Sequence, residues 1–124
     1  MAEKTVRGVR GAITARDNTP EDICRATARL LKEIVKANKI DTEDIASIFF
    51  TTTPDLNADF PASAAREMGW KQVPLLCARE IDVPNSMPRL IRVLIHVNTT
   101  CTQAEIRHQY LDEAASLRPD LMKD

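Results

Sequence analysis

Residues 89–98 read RLIRVLIHVN. Branched apolar residues at this density favour a β-strand, and side chains alternate between the two faces of a strand. Ile91, Val93, Ile95 and Val97 share one face, and Leu90, Arg92, Leu94, His96 and Asn98 share the other. The first is a core face. The second is mixed, with a fixed positive charge at its centre. An edge strand with its mixed face in water would carry Arg92 without consequence. A strand whose mixed face lines a pocket would need an anionic partner for the guanidinium, because a buried, unpaired charge is costly.

Outward from this strand, the chain alternates short strands and helices. TVRGVRGAITA (5–15) reads as a strand interrupted by Gly8 and Gly11, with Arg7 and Arg10 directed to opposite faces. The clearest helix begins after Thr19, an N-cap followed by Pro20, Glu21 and Asp22, residues suited to the positive end of a helix dipole. Ile23, Thr27, Leu30, Leu31, Ile34 and Asn38 give it one packing face. Asp41 or Thr42 caps a short turn, and IASIFFTTT (45–53) follows as a buried strand. Pro61 opens a short helix ending near Gly69, and VPLLCAREIDVP (73–84) is a strand bounded by prolines.

Strands 73–83 and 89–99 are close enough in sequence to pair as a hairpin, which would make Glu80 and Arg92 a cross-strand ion pair or two charges aimed at one ligand. The segment 100–120 reads as a final helix, with capping-box spacing between Thr102 and Glu105, Tyr110 four residues after Ile106, and Arg118 at its terminus. The order β-α-β-α-β-β-α predicts an α/β (α+β) fold with a mixed β-sheet packed against helices. The half-polar strand faces must meet something other than a helix core.

The whole chain, 1–124, has the length of one domain. Its net charge of −1 argues against nucleic acid as the main partner. Eleven arginines stand against six lysines, a bias toward the side chain that grips carboxylates bidentately. The odd set Cys24, Cys77 and Cys101 lacks metal-ligand spacing and forms no cluster with His96 or His108, so disulfides and structural zinc are not expected. The N-terminal MAEKTVRGVRG lacks the apolar core of a signal peptide, and no apolar run nears the ~20 residues of a membrane span. A cytoplasmic location is the expectation. There is no GxGxxG, P-loop or HExxH pattern, so no nucleotide, metal or flavin cofactor is expected. Cys77 in isolation reads as a small buried hydrophobe.

Several segments, in order and spacing, carry a resemblance: RGVRGA, TPDLNADFPASAAREMGW, VPLLCAREIDVP, IRVLIHVNT and IRHQYLDEAASLRPDL. Together they resemble the small, monofunctional chorismate mutases of the trimeric bacterial type, the AroH class, over nearly the whole length. The resemblance implies conversion of chorismate to prephenate on the route to phenylalanine and tyrosine. It also implies a homotrimer of α/β subunits with a barrel-like core and active sites at subunit interfaces.

By position, Arg10 matches an arginine that holds a substrate carboxylate. Glu80 and Cys77 match the pair at the ring hydroxyl, and Arg92 matches the arginine beside the ether oxygen. Tyr110 matches a tyrosine at the carboxylate end. Phe60, Arg66, Leu117 and Arg118 match the opposite wall and a mobile C-terminal segment from about 116 to 124, and Leu76, Ala78 and Arg79 flank the hydroxyl pair as substrate-binding positions. Ser63 stands where some relatives carry a charge, and Leu76 where some carry Thr. Cys77 and Glu80 are three apart, so a regular strand separates their side chains. Either the strand bends after Pro74 or Cys77 contributes through its backbone.

A [3,3] rearrangement within one dianion needs no nucleophile, proton transfer or metal, which agrees with the motifs present and with the arginine bias. The rival classes are a trimeric small-molecule-binding or deaminase-like protein of similar layout, and a non-catalytic interaction domain.

Overall fold

The computed structural model describes residues 3–122. Five strands form one sheet: β1 (Thr5–Thr14), β2 (Ile45–Thr52), β3 (Leu75–Arg79), β4 (Leu90–Thr99) and β5 (Gln109–Tyr110). Their spatial order is β3-β2-β4-β1-β5. β4 runs antiparallel to both of its neighbours, whereas the β2–β3 and β1–β5 pairs are parallel. The mixed sheet expected from the element order is present. The hairpin expected between 73–83 and 89–99 is not, because β2 lies between β3 and β4. Two extended segments separated by a ten-residue loop (80–89) satisfy their backbone groups better against β2, which presents a free edge to each.

Helix α1 (Pro20–Asn38) starts as its sequence dictates: the Thr19 hydroxyl accepts from the Asp22 amide at 3.1 Å, and Pro20 occupies the first turn. It buries Ile23, Ala26, Thr27, Leu30, Leu31 and Ile34 against the sheet. Each fully buried Leu or Ile contributes ~1.5–3 kcal/mol of transfer free energy. Buried Thr27 satisfies its hydroxyl on the Ile23 carbonyl at 2.8 Å. Helix α2 (Ala62–Glu67) is short, and Gly69 follows it with φ +88°, a conformation that glycine adopts without strain. Both helices cover the same face of the sheet, formed by the Val9–Ile95–Ile48 and Gly11–Val93–Phe50 rows.

The final segment departs from the predicted helix. It forms a 3-10 turn at Gln103–Glu105, the two-residue strand β5, and further 3-10 turns at Asp112–Ser116 and Pro119–Met122. The Thr102–Glu105 capping box is present, but it caps one turn only. Tertiary partners claim the following backbone. The Asn38 side chain donates to the Arg107 carbonyl at 2.9 Å and accepts from the Arg107 amide at 2.8 Å. The Arg10 amide donates to His108 Nδ1 at 2.9 Å, and the Leu111 amide donates to the Ala12 carbonyl at 2.9 Å. Tyr110 therefore sits in a strand, and Arg118 lies between two 3-10 turns instead of at a helix end. Residues 123 and 124 of the expected C-terminal segment lie outside the described residues.

Gly11 marks where α1 comes nearest the sheet. A Cβ there would stand 2.6 Å from Ile34 Cδ1, 3.1 Å from Val93 Cγ2 and 3.2 Å from Leu30 Cδ1. Gly11→Ala is expected to lower stability by ~1–3 kcal/mol through overpacking. Urea unfolding should show a lower midpoint at unchanged slope.

Candidate active site

Among the described residues, no α-helix covers the second face of the sheet. Across it run two rows of side chains, Ala78–Thr51–Arg92–Ala12 and Leu76–Phe49–Leu94–Arg10. At one end, the 3-10 turn at 112–116 covers this face, and Ala12, Leu90, Tyr110 and Ala114 form a small second core there with Met87 and Leu117 against it. Beside that core lies a cleft of about 560 Å³, lined by Thr53, Glu80, Ile81, Met87, Leu90, Arg92, Glu113 and Leu117.

Glu80 and Arg92 do meet, 3.4 Å apart between Oε1 and Nε, with side chains 19% and 46% exposed. They meet over the top of β2, not across a hairpin. The Thr51 hydroxyl, on the strand between them, donates to Glu80 Oε2. Arg92 is thus directed to the cleft by the alternation of β4, with Val93 and Ile91 buried on the opposite side.

Arg10 lies on the same open face, one row along from Arg92. Its amide binds His108 Nδ1, so the neutral ring carries its proton on Nε2. Burial, then the positive charges of Arg10 and Arg118, hold His108 below the ordinary imidazole value. Arg118 makes a two-point contact with Asp120, at 3.1 and 3.0 Å. Arg10, Arg92, Tyr110, Leu117 and Arg118 therefore gather with Glu80 around one end of the open face.

The other candidate residues do not join them. Phe60, Cys77, Ala78 and Arg79 line a second cleft of about 580 Å³, between the end of β3 and the loop 53–61 that follows β2, which shares Thr53 with the first. Phe60 is 66% exposed, and Leu76 is exposed beside Phe49. Arg66 extends from α2 and donates to Ser63 Oγ at 3.2 Å. The Cys77 thiol packs toward the helix-covered core. The strand is regular from 75 to 79, so the expected alternative of a bend after Pro74 is absent. The Pro74 carbonyl and the Glu80 amide both bond to β2, at 3.0 and 2.9 Å. By alternation, the peptide groups of Cys77 point outward from the free edge of the sheet.

Three residues that position the cleft escaped the sequence reading. Thr53 accepts from the Leu90 amide at 3.0 Å and donates to Asp55 at 2.5 Å. Asp55 accepts from the Arg89 amide at 2.9 Å, and Arg89 Nε donates to the Ala15 carbonyl at 3.1 Å. Arg89, with φ +52°, is thereby fixed in a left-handed conformation just before β4 begins. The Thr-Pro-Asp triplet at 53–55 is the local signal, since short polar side chains beside proline organise turns.

The chain and its fold have counterparts among known proteins. The family description chorismate mutase type I matches residues 6–121. The chain is 54% identical over 117 residues to chorismate mutase AroH of Thermus thermophilus, covering 94% of this chain and 96% of that protein. It is 44% identical over 117 residues to chorismate mutase AroH of Bacillus subtilis strain 168, covering 94% and 92%. A solved chorismate mutase from Clostridium thermocellum superposes with a TM-score of 0.88 at 48% identity, covering 89% of this chain and 98% of that one. The chain belongs to the chorismate mutase type I family.

His108 gives a pH dependence with a defined sign. Its folded value is lowered from 6.5, so the unfolded chain takes up the proton first. Native stability should fall as pH drops below that ordinary value and through the lowered one. His108→Asn keeps an acceptor for the Arg10 amide without titrating. Urea midpoints followed between about pH 7.5 and about pH 5 should flatten in that variant relative to the wild type.

Proposed function

We propose that this chain is a chorismate mutase, an isomerase that converts chorismate to prephenate on the route to phenylalanine and tyrosine. Family membership supports the assignment, and the observation that carries the mechanism is Arg92, directed into the cleft and only loosely engaged by Glu80. The reaction breaks a C–O bond and makes a C–C bond within one molecule. The protein has two tasks: to hold the enolpyruvyl arm over the ring, and to stabilise negative charge that develops on the ether oxygen. Arg92 performs the second, since its guanidinium stays protonated at any working pH. Arg10, Tyr110 and Arg118 bind the substrate carboxylates. Glu80 accepts from the ring hydroxyl, and Cys77 meets that hydroxyl through its outward-pointing peptide group.

The working assembly is a homotrimer with active sites between subunits. Two features support it. The bare sheet face exposes Phe49 (41%), Leu76 (57%) and Leu94 (36%), an apolar patch suited to burial against other copies. Expected site residues also divide between two clefts on one chain, Glu80, Arg92 and Leu117 in one and Phe60, Cys77, Ala78 and Arg79 in the other, as they would if neighbouring subunits each supplied one wall. The segment 117–120 moves to admit the substrate and closes with Leu117 and Arg118. No helix of the described residues is long and apolar enough to cross a membrane, and the three free cysteines suit the reducing cytosol.

Loss of chorismate absorbance on adding the purified protein tests the activity, and absence of any loss would favour a binding protein of the same fold. Arg92→citrulline keeps the shape and most hydrogen bonds but removes the charge. It is expected to lower kcat by roughly 10²–10³-fold with a much smaller change in KM. Wild-type kcat in that variant would rule out charge stabilisation.

Light scattering should give the mass of three chains. Phe49→Asp, which places a charge amid the apolar patch, should shift that mass toward one chain and abolish turnover. A wild-type monomer with full activity would overturn the shared-site assembly.

A further inference from the structure

Glu80, the first residue after β3, and Arg92 on β4 extend from strands that are not neighbours. Adjacent strands lie ~4.8 Å apart, so these two side chains reach each other across roughly twice that distance, over the middle strand. The residue beneath them is Thr51, whose cross-strand partners are Arg92 on β4 and Ala78 on β3. A large side chain at 51 would block the crossing. An apolar one of the right size would leave a mostly buried carboxylate oxygen without a donor, since the Glu80 side chain is only 19% exposed. Threonine is small enough and supplies the missing hydroxyl.

The two oxygens of Glu80 are thereby divided. Oε2 accepts from Thr51, and Oε1 faces Arg92 Nε at 3.4 Å, a loose ion pair beyond ordinary N–H···O length. A carboxylate free to rotate would form the tighter two-point fork that arginine and carboxylates prefer. That fork would occupy the donors that Arg92 needs for a ligand in the cleft. The backbone of Glu80 is already held, its amide donating to the Thr52 carbonyl at 2.9 Å. What remains to be set is the rotation of its carboxylate.

We propose that Thr51 is a positioning residue: its hydroxyl holds Glu80 so that the carboxylate does not close on Arg92, which leaves the guanidinium available to the reacting ether oxygen. The proposal rests on the mutase reading above. Thr51 touches Glu80 and acts on the reaction only through it. It therefore governs kcat and leaves substrate binding largely intact.

The test is a double-mutant cycle on the full-length assembled protein, with chorismate as substrate. Thr51→Val keeps the shape and removes the hydroxyl, and Thr51→Ser keeps the hydroxyl. Thr51→Val should lower kcat by roughly tenfold or more with KM changed by less than about threefold, and Thr51→Ser should recover most of the loss. In a Glu80→Ala background the same Val substitution should change kcat by less than about twofold, because the group it positions is gone. Equal losses in both backgrounds would mean that Thr51 serves the fold instead, and wild-type kcat in Thr51→Val would remove its role altogether. If Thr51→Val fails to assemble, as judged by scattering and urea unfolding, Thr51→Ala enters the same cycle under the same criteria. Turnover by the wild type is measured first. Its absence would overturn the reaction assigned to the chain and this role with it, whereas a null effect at Thr51 in an active wild type overturns this role alone.

Discussion

Helices cover one face of a five-stranded sheet and leave the other bare, and the remaining features follow from that asymmetry. The constraint begins in β4, the only strand among those described that runs against its neighbours, which pairs with β1 along ten residues and with β2 along most of its length. Its buried side chains, Ile91, Val93, Ile95 and Val97, meet α1 and the core. Having spent that face on the core, the strand must present Arg92, Leu94 and His96 on the other. The bare side thus contains both an apolar field around Phe49, Leu76 and Leu94 and a charged end around Arg92. The same lack of cover leaves exposed apolar side chains beside a polar cleft.

The charged end concentrates guanidinium groups. Arg10 and Arg92 stand on adjacent rows, and Arg118 approaches from the 3-10 turns. His108 lies among them yet stays neutral near physiological pH, because burial and the two neighbouring guanidinium groups disfavour a further positive charge. Its role is that of a hydrogen-bond acceptor for the Arg10 amide. Among the described residues, Glu80 is the carboxylate paired with Arg92. The Thr51 hydroxyl on the intervening strand takes one of the Glu80 oxygens, and the other stands 3.4 Å from Arg92 Nε.

Rigidity around the cleft comes from short polar side chains placed on loops. Asn18 accepts from the Asn57 and Ala58 amides, both at 3.0 Å, and donates to the Asn57 side chain at 2.8 Å. Thr53 and Asp55 fix the strained turn at Arg89. These bonds anchor the loop after β2 and the entry to β4, the two places from which the cleft walls arise. Among the described residues, no buried side-chain nitrogen or oxygen lacks a partner, as a preorganised polar site requires.

The sequence alone determined the features that depend on near neighbours. The N-cap and packing face of α1, the strand at 90–99 with its two unlike faces, and the turn at Gly69 follow from steric preferences and side-chain periodicity within a few residues. The family resemblance, read from separated motifs, supplied the expected site residues, of which Glu80, Arg92 and Leu117 line one cleft. Tertiary structure alone decided which strands pair. Residues 73–83 and 89–99 look like a hairpin because they are close in sequence, but β2, some 30 residues earlier than β3, inserts between them and satisfies both edges. The spacing of Ile106 and Tyr110 fits a helix equally well as a short edge strand. It becomes the strand because Asn38, Arg10 and Ala12 offer that backbone its hydrogen bonds. Thr51 was silent for the same reason: a threonine inside an apolar strand has no visible function until the fold places Glu80 on one side of it and Arg92 on the other. Local periodicity fixes where a side chain points, whereas what it points at is set by contacts between residues far apart in the chain.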